Sequence, residues 1–209
     1  MSETSPGSIT IYSDYVCPFC YLGRQSLDQY QQRREDPLDI DWHPYDLRHN
    51  RRGPDGEIDP DADDGKDDDY FQQVRQNVRK LQDRYGVEMT QEVATDVDSL
   101  NAQIASVYVD EQYPDQWRAF DEAIFAALWT EGRDIGDPDV LADLAADCGL
   151  DPEEIRDAIA DEDLRERLTE QFAAAQQRGI TGVPTFVYGE HAARGAVPPE
   201  HLERLVEGA

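Results

Sequence analysis

Cys17-Pro18-Phe19-Cys20 follows directly on a short β-like run, Ile9 to Tyr12, and that placement constrains the fold more than any other feature of the chain. Two cysteines separated by two residues, where a strand passes into a helix, form a dithiol that can cycle with a disulfide. Zinc sites use the same spacing but need two further Cys or His ligands. Only Cys148, His43, His49, His191 and His201 remain, none in a second paired motif. The redox reading is therefore favoured over half a zinc site, and no metal ligand is assigned. Far downstream, Thr181-Gly182-Val183-Pro184-Thr185 places a proline between small residues and a second β-run. Alone, it could be an ordinary strand-entry proline.

Periodicity orders the rest. Ile9 and Ile11 alternate with Thr10 and Tyr12 over Ser8 to Ser13, which predicts a strand. Cys17 stands where an N-cap belongs, with Pro18 at the first helical position, and the helix is expected to run to about Arg34. Leu38 to Asp46 reads as a second strand. Residues 50–69 form an acidic loop rich in Gly, Pro and Asp, without the Asp and Gly spacing of a calcium-binding EF-hand.

Apolar stripes at helical spacing follow: Tyr70 to Tyr85 ended by Gly86, Val97 to Val107, and Trp117 to Leu128 closed by Gly132. Asp137-Pro138 and Asp151-Pro152 each look like an N-cap followed by proline at N1. A long helix through Leu164, Leu168, Phe172 and Ala175 ends at Gly179. Strands at Thr185 to Tyr188 and His191 to Arg194 and a helix from about Pro199 to Val206 close the chain. The expected fold class is α/β, with a β-α-β opening and a β-β-α closing that bracket a large all-helical insertion. Residues 8–49 and 179–209 then make one discontinuous domain, and 50–178 the acidic loop and insertion. The last helix of that segment, about 161–178, is open to either assignment.

The charge balance is extreme: 46 acids against 19 bases, a net charge of −27, with lysine only at positions 66 and 80. Such self-repulsion weakens a compact state unless molar salt shortens the Debye length to about 3 Å. Adaptation to a salt-accumulating cell is the favoured reading, ahead of an acidic surface for a basic partner. Phosphate backbones would be repelled, so no nucleic-acid partner is expected. No basic, apolar leader and no membrane-length apolar run are seen, so a cytoplasmic chain without a membrane partner is expected. Thiols are mostly reduced there, which favours a catalytic use of C-x-x-C over a structural one.

A dithiol oxidoreductase needs one exposed cysteine with a lowered pKa, because the thiolate attacks the substrate sulfur. A helix N-terminus supplies unpaired N–H groups and the positive end of a dipole. Cys17 occupies that position, and Cys20, one turn inward, is placed to resolve the mixed disulfide. Pro18 and Phe19 are expected to face substrate. Trp117 and Trp129 read as packing residues, and Cys148 as a small buried residue. The dithiol is its own redox group, so no cofactor is expected.

The opening, the C-x-x-C and the late Val183-Pro184 together match the thioredoxin fold, whose cis-proline loop abuts its dithiol. The chain resembles the DsbA family of that fold, in its cytoplasmic FrnE-like branch, over residues 8 to 207. The resemblance rests on Ser13-Asp14-Tyr15-Val16-Cys17-Pro18-Phe19-Cys20-Tyr21-Leu22-Gly23, on the run from Phe125 through Trp129 to Asp137, and on Gly182-Val183-Pro184-Thr185-Phe186-Val187. It implies thiol–disulfide exchange with protein or low-molecular-weight thiols and disulfides. Cys17 would be the nucleophile, Cys20 the resolving thiol and Pro184 the cis-proline, with Val183 offering backbone hydrogen bonds to a bound peptide. The relatives include 2-hydroxychromene-2-carboxylate isomerases and kappa-class glutathione transferases, which typically carry Ser at the first cysteine position. This chain has Cys at both, and Arg194-Gly195-Ala196-Val197-Pro198-Pro199 where those relatives hold glutathione with an acidic-polar run. A glutathione-dependent isomerase or transferase, and a non-enzymatic metal- or partner-binding module, stay open as alternatives.

Overall fold

The computed structural model describes residues 7–53, 56–59, 61–62 and 65–208. Four strands form one sheet in the order β2-β1-β3-β4: β1 (Ser8–Ser13), β2 (Asp39–Pro44), β3 (Thr185–Tyr188) and β4 (His191–Arg194). β1 pairs parallel with β2, Ile9 opposite Ile40 and Ile11 opposite Trp42, and antiparallel with β3, Ile11 opposite Phe186. The turn at Gly189 (φ 57°) brings β4 back antiparallel onto β3. β1 is thus central, and Thr10 and Tyr12 are buried as fully as Ile9 and Ile11, because helices cover both faces.

One face packs Ile9, Ile11 and Phe186 against Leu27 and Tyr30 of α1 (Pro18–Gln31) and Leu202, Leu205 and Val206 of α8 (Pro199–Glu207). The largest core joins the dithiol, Tyr15 and Trp42 to α3 (Leu100–Gln112), α4 (Pro114–Trp129), α5 (Pro138–Asp147), α6 (Pro152–Ala160) and α7 (Glu162–Gln177). Asp137, Asp151 and Asp161 cap α5, α6 and α7, each accepting a hydrogen bond from a backbone N–H in the first turn.

Two boundaries differ from the periodicity. α1 stops at Gln31 rather than near Arg34, because the Gln31 amide turns onto the Leu38 carbonyl and N–H, at 2.8 and 2.9 Å, and fixes the entry to β2. Val97 lies outside α3, whose start is set by the Asp98 carboxylate accepting from Leu100 N–H at 3.1 Å.

α2 (Asp68–Tyr85) is the element that shapes the site. It begins under an Asp67 cap and ends at Gly86 in the left-handed region (φ 65°). Rather than joining the other inserted helices, it folds back over α1, packing Val78 and Tyr85 on Leu22, with Val74 and Leu81 beside Phe19. The Tyr85 hydroxyl donates to the Ala196 carbonyl at 2.7 Å, tying α2 to the loop after β4.

Candidate active site

Cys17 is the N-cap of α1 (φ −93°, ψ 113°), with Pro18 in the first turn, where a missing N–H leaves no helical hydrogen bond unmade. Its N–H is taken by the Asp14 carbonyl at 3.1 Å, and its carbonyl accepts from Cys20 and Tyr21. The Cys17 Sγ lies 3.7 Å from the carbonyl oxygen of Val183. The Val183–Pro184 peptide is cis. Pro184 carbonyl accepts from Gly195 N–H at 2.8 Å, which ties this loop to the end of β4.

Gly23 explains how closely α1 approaches that loop. A Cβ there would sit 3.1 Å from Pro184 Cγ and 3.2 Å from the Phe186 ring, tighter than ordinary carbon contacts. Val183 N–H makes no hydrogen bond among the described residues, so this backbone edge is open to an extended partner.

Both cysteines are free thiols. The expectation of an exposed Cys17 is corrected: the residue is only 3% exposed, packed into the largest apolar core. It opens instead onto a cavity of about 140 Å³, shared with Val16, Pro18, Phe19 and Val183 and roofed by Tyr70, Phe71 and Val74 of α2. Cys20 is equally buried, at 2%. Burial pushes its pKa well above the ordinary thiol range and neighbouring Cys17 pushes the same way, while Asp14 N–H and the Ser13 hydroxyl offset part of this. The pair is therefore asymmetric: one sulfur faces a cavity and the other is held as a thiol behind it.

Beneath the motif lies a polar support that the sequence did not single out. Asp14, 0% exposed, accepts from Val16 N–H at 3.2 Å, Leu47 N–H at 2.8 Å and the Ser99 hydroxyl at 2.5 Å. Burial nevertheless raises its pKa to about 6. Tyr15 donates to Asp121 at 3.0 Å, and Asp121 pairs with Arg24 at 2.8 Å, all three buried. The Trp129 indole donates to the Tyr15 carbonyl at 2.9 Å and that of Trp117 to Ser106 at 3.0 Å, so both tryptophans pack and brace.

Of the aromatics flanking the dithiol, Tyr15 and Tyr21 are buried, and Phe19 is half-buried against the cavity. Cys148, expected buried, is half-buried at the C-terminal cap of α5. Among the described residues no group of three or more His, Cys, Asp or Glu is arranged to hold a metal, and no helix is long and apolar enough to cross a membrane.

YwbO of Bacillus subtilis, an uncharacterized protein, is 26% identical over 199 residues, covering 95% of this chain and 94% of that protein. A probable DsbA oxidoreductase from Streptomyces coelicolor superposes with a TM-score of 0.75 at 21% identity, covering 96% of this chain and 88% of the other. A 2-hydroxychromene-2-carboxylate isomerase gives 0.75 at 21% identity, covering 96% and 93%. At such identities these two structures speak for the fold alone. The model of the DSBA-like thioredoxin domain matches residues 8–207, nearly the whole chain, and on that match the protein belongs to the DsbA-like thioredoxin family.

Proposed function

We propose that the chain is a thiol–disulfide oxidoreductase in which Cys17 attacks the substrate disulfide and Cys20 resolves the mixed disulfide. The observation that carries this reading is the position of Cys17, at the N-terminus of α1, facing a cavity and 3.7 Å from the Val183 carbonyl. The Cys17 thiolate forms an S–S bond to one substrate sulfur and expels the other as a thiolate. The Cys20 thiolate then attacks Cys17 Sγ, closing the internal disulfide and releasing the second thiolate. Two electrons pass from the dithiol to the substrate, and the two cysteine protons end on the released thiols.

Phe19 and Pro18 form the apolar rim, and Val183 pairs with an extended substrate through its open N–H. Pro184 packs against Gly23 of α1 next to Val183, whose carbonyl faces Cys17. The high thiol pKa of Cys20 suits this order, because a group held protonated leaves the first attack to Cys17. Thiols at both positions favour disulfide exchange over glutathione-dependent isomerisation on the same fold. The net charge of −27 supports work in molar salt.

Insulin reduction driven by dithiothreitol, at about 2 M KCl to screen the acidic surface, tests the reading. The wild-type chain is expected to precipitate insulin B chain, Cys17→Ser to lose that activity, and Cys20→Ser to accumulate mixed disulfides. Full activity in Cys17→Ser would sink the assignment.

A further inference from the structure

The charge pattern around Cys17 is opposite to that of the chain as a whole. The cavity of about 140 Å³ is lined by Arg48, Arg51 and Lys66 as well as by Cys17. A second, of about 630 Å³, meets it at Phe19 and Val183 and is lined by Lys80 and Arg84 of α2. Among the described residues no Asp or Glu lines either, although the chain has 46, and both of its lysines lie there.

The pairing of these cations adds to their position. Most arginines outside the two cavities are taken by carboxylates, as Arg33 is by Glu200, Arg118 by Asp28 and Arg167 by Glu111, although Arg75, Arg178, Arg194 and Arg204 have no such partner among the described residues. Arg51, Lys80 and Arg84 make no ion pair among the described residues, and Arg84 only acts on Glu200 from longer range. Arg51 Nε is buried without a hydrogen-bond partner. Arg48 is held by the Ala94 and Thr95 carbonyls, not by an acid. In a chain with such an excess of carboxylates, half-buried Arg51 without a counter-charge beside a buried sulfur is unfavourable unless that charge arrives with a ligand. The exposed Lys80 and Arg84 make the lining of the second cavity positive.

We propose that this site, on the thiol–disulfide reading above, selects small disulfides whose two halves each carry a carboxylate. The half that becomes bonded to Cys17 places its carboxylate at Arg51. The half that leaves as a thiolate passes Phe19 into the second cavity, where Lys80 and Arg84 receive its charge. The overhang of α2 keeps Cys17 within a small cavity, which favours a small substrate over a folded protein surface. The reaction balances as before: one acidic disulfide gives two acidic thiols, and Cys17 and Cys20 become a disulfide.

The test is single-turnover oxidation of the reduced full-length chain by three symmetric disulfides of similar size, at one fixed salt concentration. Dithiodiglycolate carries two carboxylates, bis(2-hydroxyethyl) disulfide is neutral and cystamine is cationic, and each rate is divided by that of dithiothreitol with the same disulfide. The expected ratio of dianionic to neutral substrate is about tenfold, with cystamine slowest. Arg51→Gln with Lys80→Gln should bring that ratio to about one, and Lys80→Gln alone, at an exposed position, should lower it part of the way. Arg75→Gln, the same change of charge on α2 outside both cavities, should leave it unchanged. A ratio near one in the wild type, a ratio that survives the double substitution, or cystamine reacting fastest would overturn the inference while leaving the dithiol reading intact. If none of the three disulfides produces a Cys17–Cys20 bond, both fall together.

Discussion

Two regions of this molecule solve opposite electrostatic problems within a few residues of each other. The cavity between α7 and the short 3-10 turn His49–Arg51 holds about 890 Å³ and is lined by Asp46, Glu162, Asp163, Glu166 and Glu170. Its cations are consumed internally: Arg52 pairs with Asp46 at 2.7 Å and with Asp98 at 2.8 Å, and Arg165 approaches Glu162 at 4.0 Å. Among the described residues the cavities beside Cys17 have no acidic lining, and Arg51, Lys80 and Arg84 there have no carboxylate partner. The acidity of the chain is therefore not spread evenly. On the proposed reading, a carboxylate beside the Cys17 thiolate would oppose the charge that the attack needs, so excess acid would be tolerable on α7 and harmful at the N-terminus of α1.

Adjacent residues give the sharpest way to break this contrast. Arg52 serves the acidic cavity and Arg51 the dithiol cavity. Arg52→Gln leaves Asp46, 4% exposed, without its partner, and should destabilise the fold by about 3–5 kcal/mol. Arg51→Gln removes no ion pair and should cost less than about 1 kcal/mol. Urea unfolding of the two variants decides it. Equal losses would mean that Arg51 is structural and that the division between the cavities is superficial.

Asp14 tests whether negative charge behind Cys17 is as unwelcome as charge in front of it. Its folded pKa of about 6 lies above the ordinary 3.8. The native state therefore keeps a proton that the unfolded chain gives up, and stability is highest below about pH 4 and falls as pH rises through 6. Two pKa units correspond to about 3 kcal/mol. Asp14→Asn has no such titration, so the stability of wild type relative to that variant should fall by about 3 kcal/mol between pH 4 and 7. A difference that stays flat across that range would show that the three hydrogen-bond donors around Asp14 fully compensate its burial.

The fold was largely legible because its signals are local. Proline at the first turn of α1, α5, α6 and α8 and aspartate caps before α5, α6 and α7 mark helix starts without reference to anything distant. The placement of Cys17 and Cys20 was legible for the same reason, since strand, N-cap, Pro18 and both cysteines lie within one short run. The stripe from Tyr70 to Tyr85 showed that α2 has an apolar face but not which surface that face would cover. Tyr70 is 44% exposed, and the helix folds onto α1 instead of joining its neighbours in sequence. Cys17 packs into the largest core and faces a cavity that α2 helps to wall, so an exposed Cys17 was the wrong expectation. The acid-free cavities were invisible for the same reason: Arg51 and Lys80 come together only when α2 returns, and Asp14 gains meaning only once Leu47 and Ser99 close on it.

Introducing a carboxylate into each cavity gives a smaller and more direct test. Val74 lines the Cys17 cavity and Thr169 the α7 cavity. Val74→Glu should slow iodoacetamide labelling of Cys17 about tenfold at low salt, because a carboxylate in the same cavity opposes formation of a thiolate. Thr169→Glu should leave it within about twofold, because Thr169 lines a cavity that does not include Cys17. Peptide mapping after timed labelling reads both. Equal slowing by the two variants would mean that total charge, not its position, governs the thiol.

The smallest effect concerns salt. With a net charge of −27, screening should raise the melting temperature between 0.1 and about 3 M KCl, because it weakens repulsion that the folded state concentrates. If the α7 cavity carries a disproportionate share of that repulsion, Glu166→Gln with Glu170→Gln should relieve part of it. These residues line the same cavity as Asp46 and Glu162. Neither makes an ion pair or hydrogen bond among the described residues, so their removal costs no specific contact. The double variant should melt about 2–4 °C higher than wild type at 0.1 M KCl, the response of a chain this size to roughly 1 kcal/mol. The gap should close near 3 M, where the Debye length falls below the spacing of the charges. A gap that persists at high salt would point to packing or helix propensity rather than charge. A melting temperature that stays flat or falls with salt would remove the case for adaptation to molar salt and favour an acidic surface kept for a basic partner.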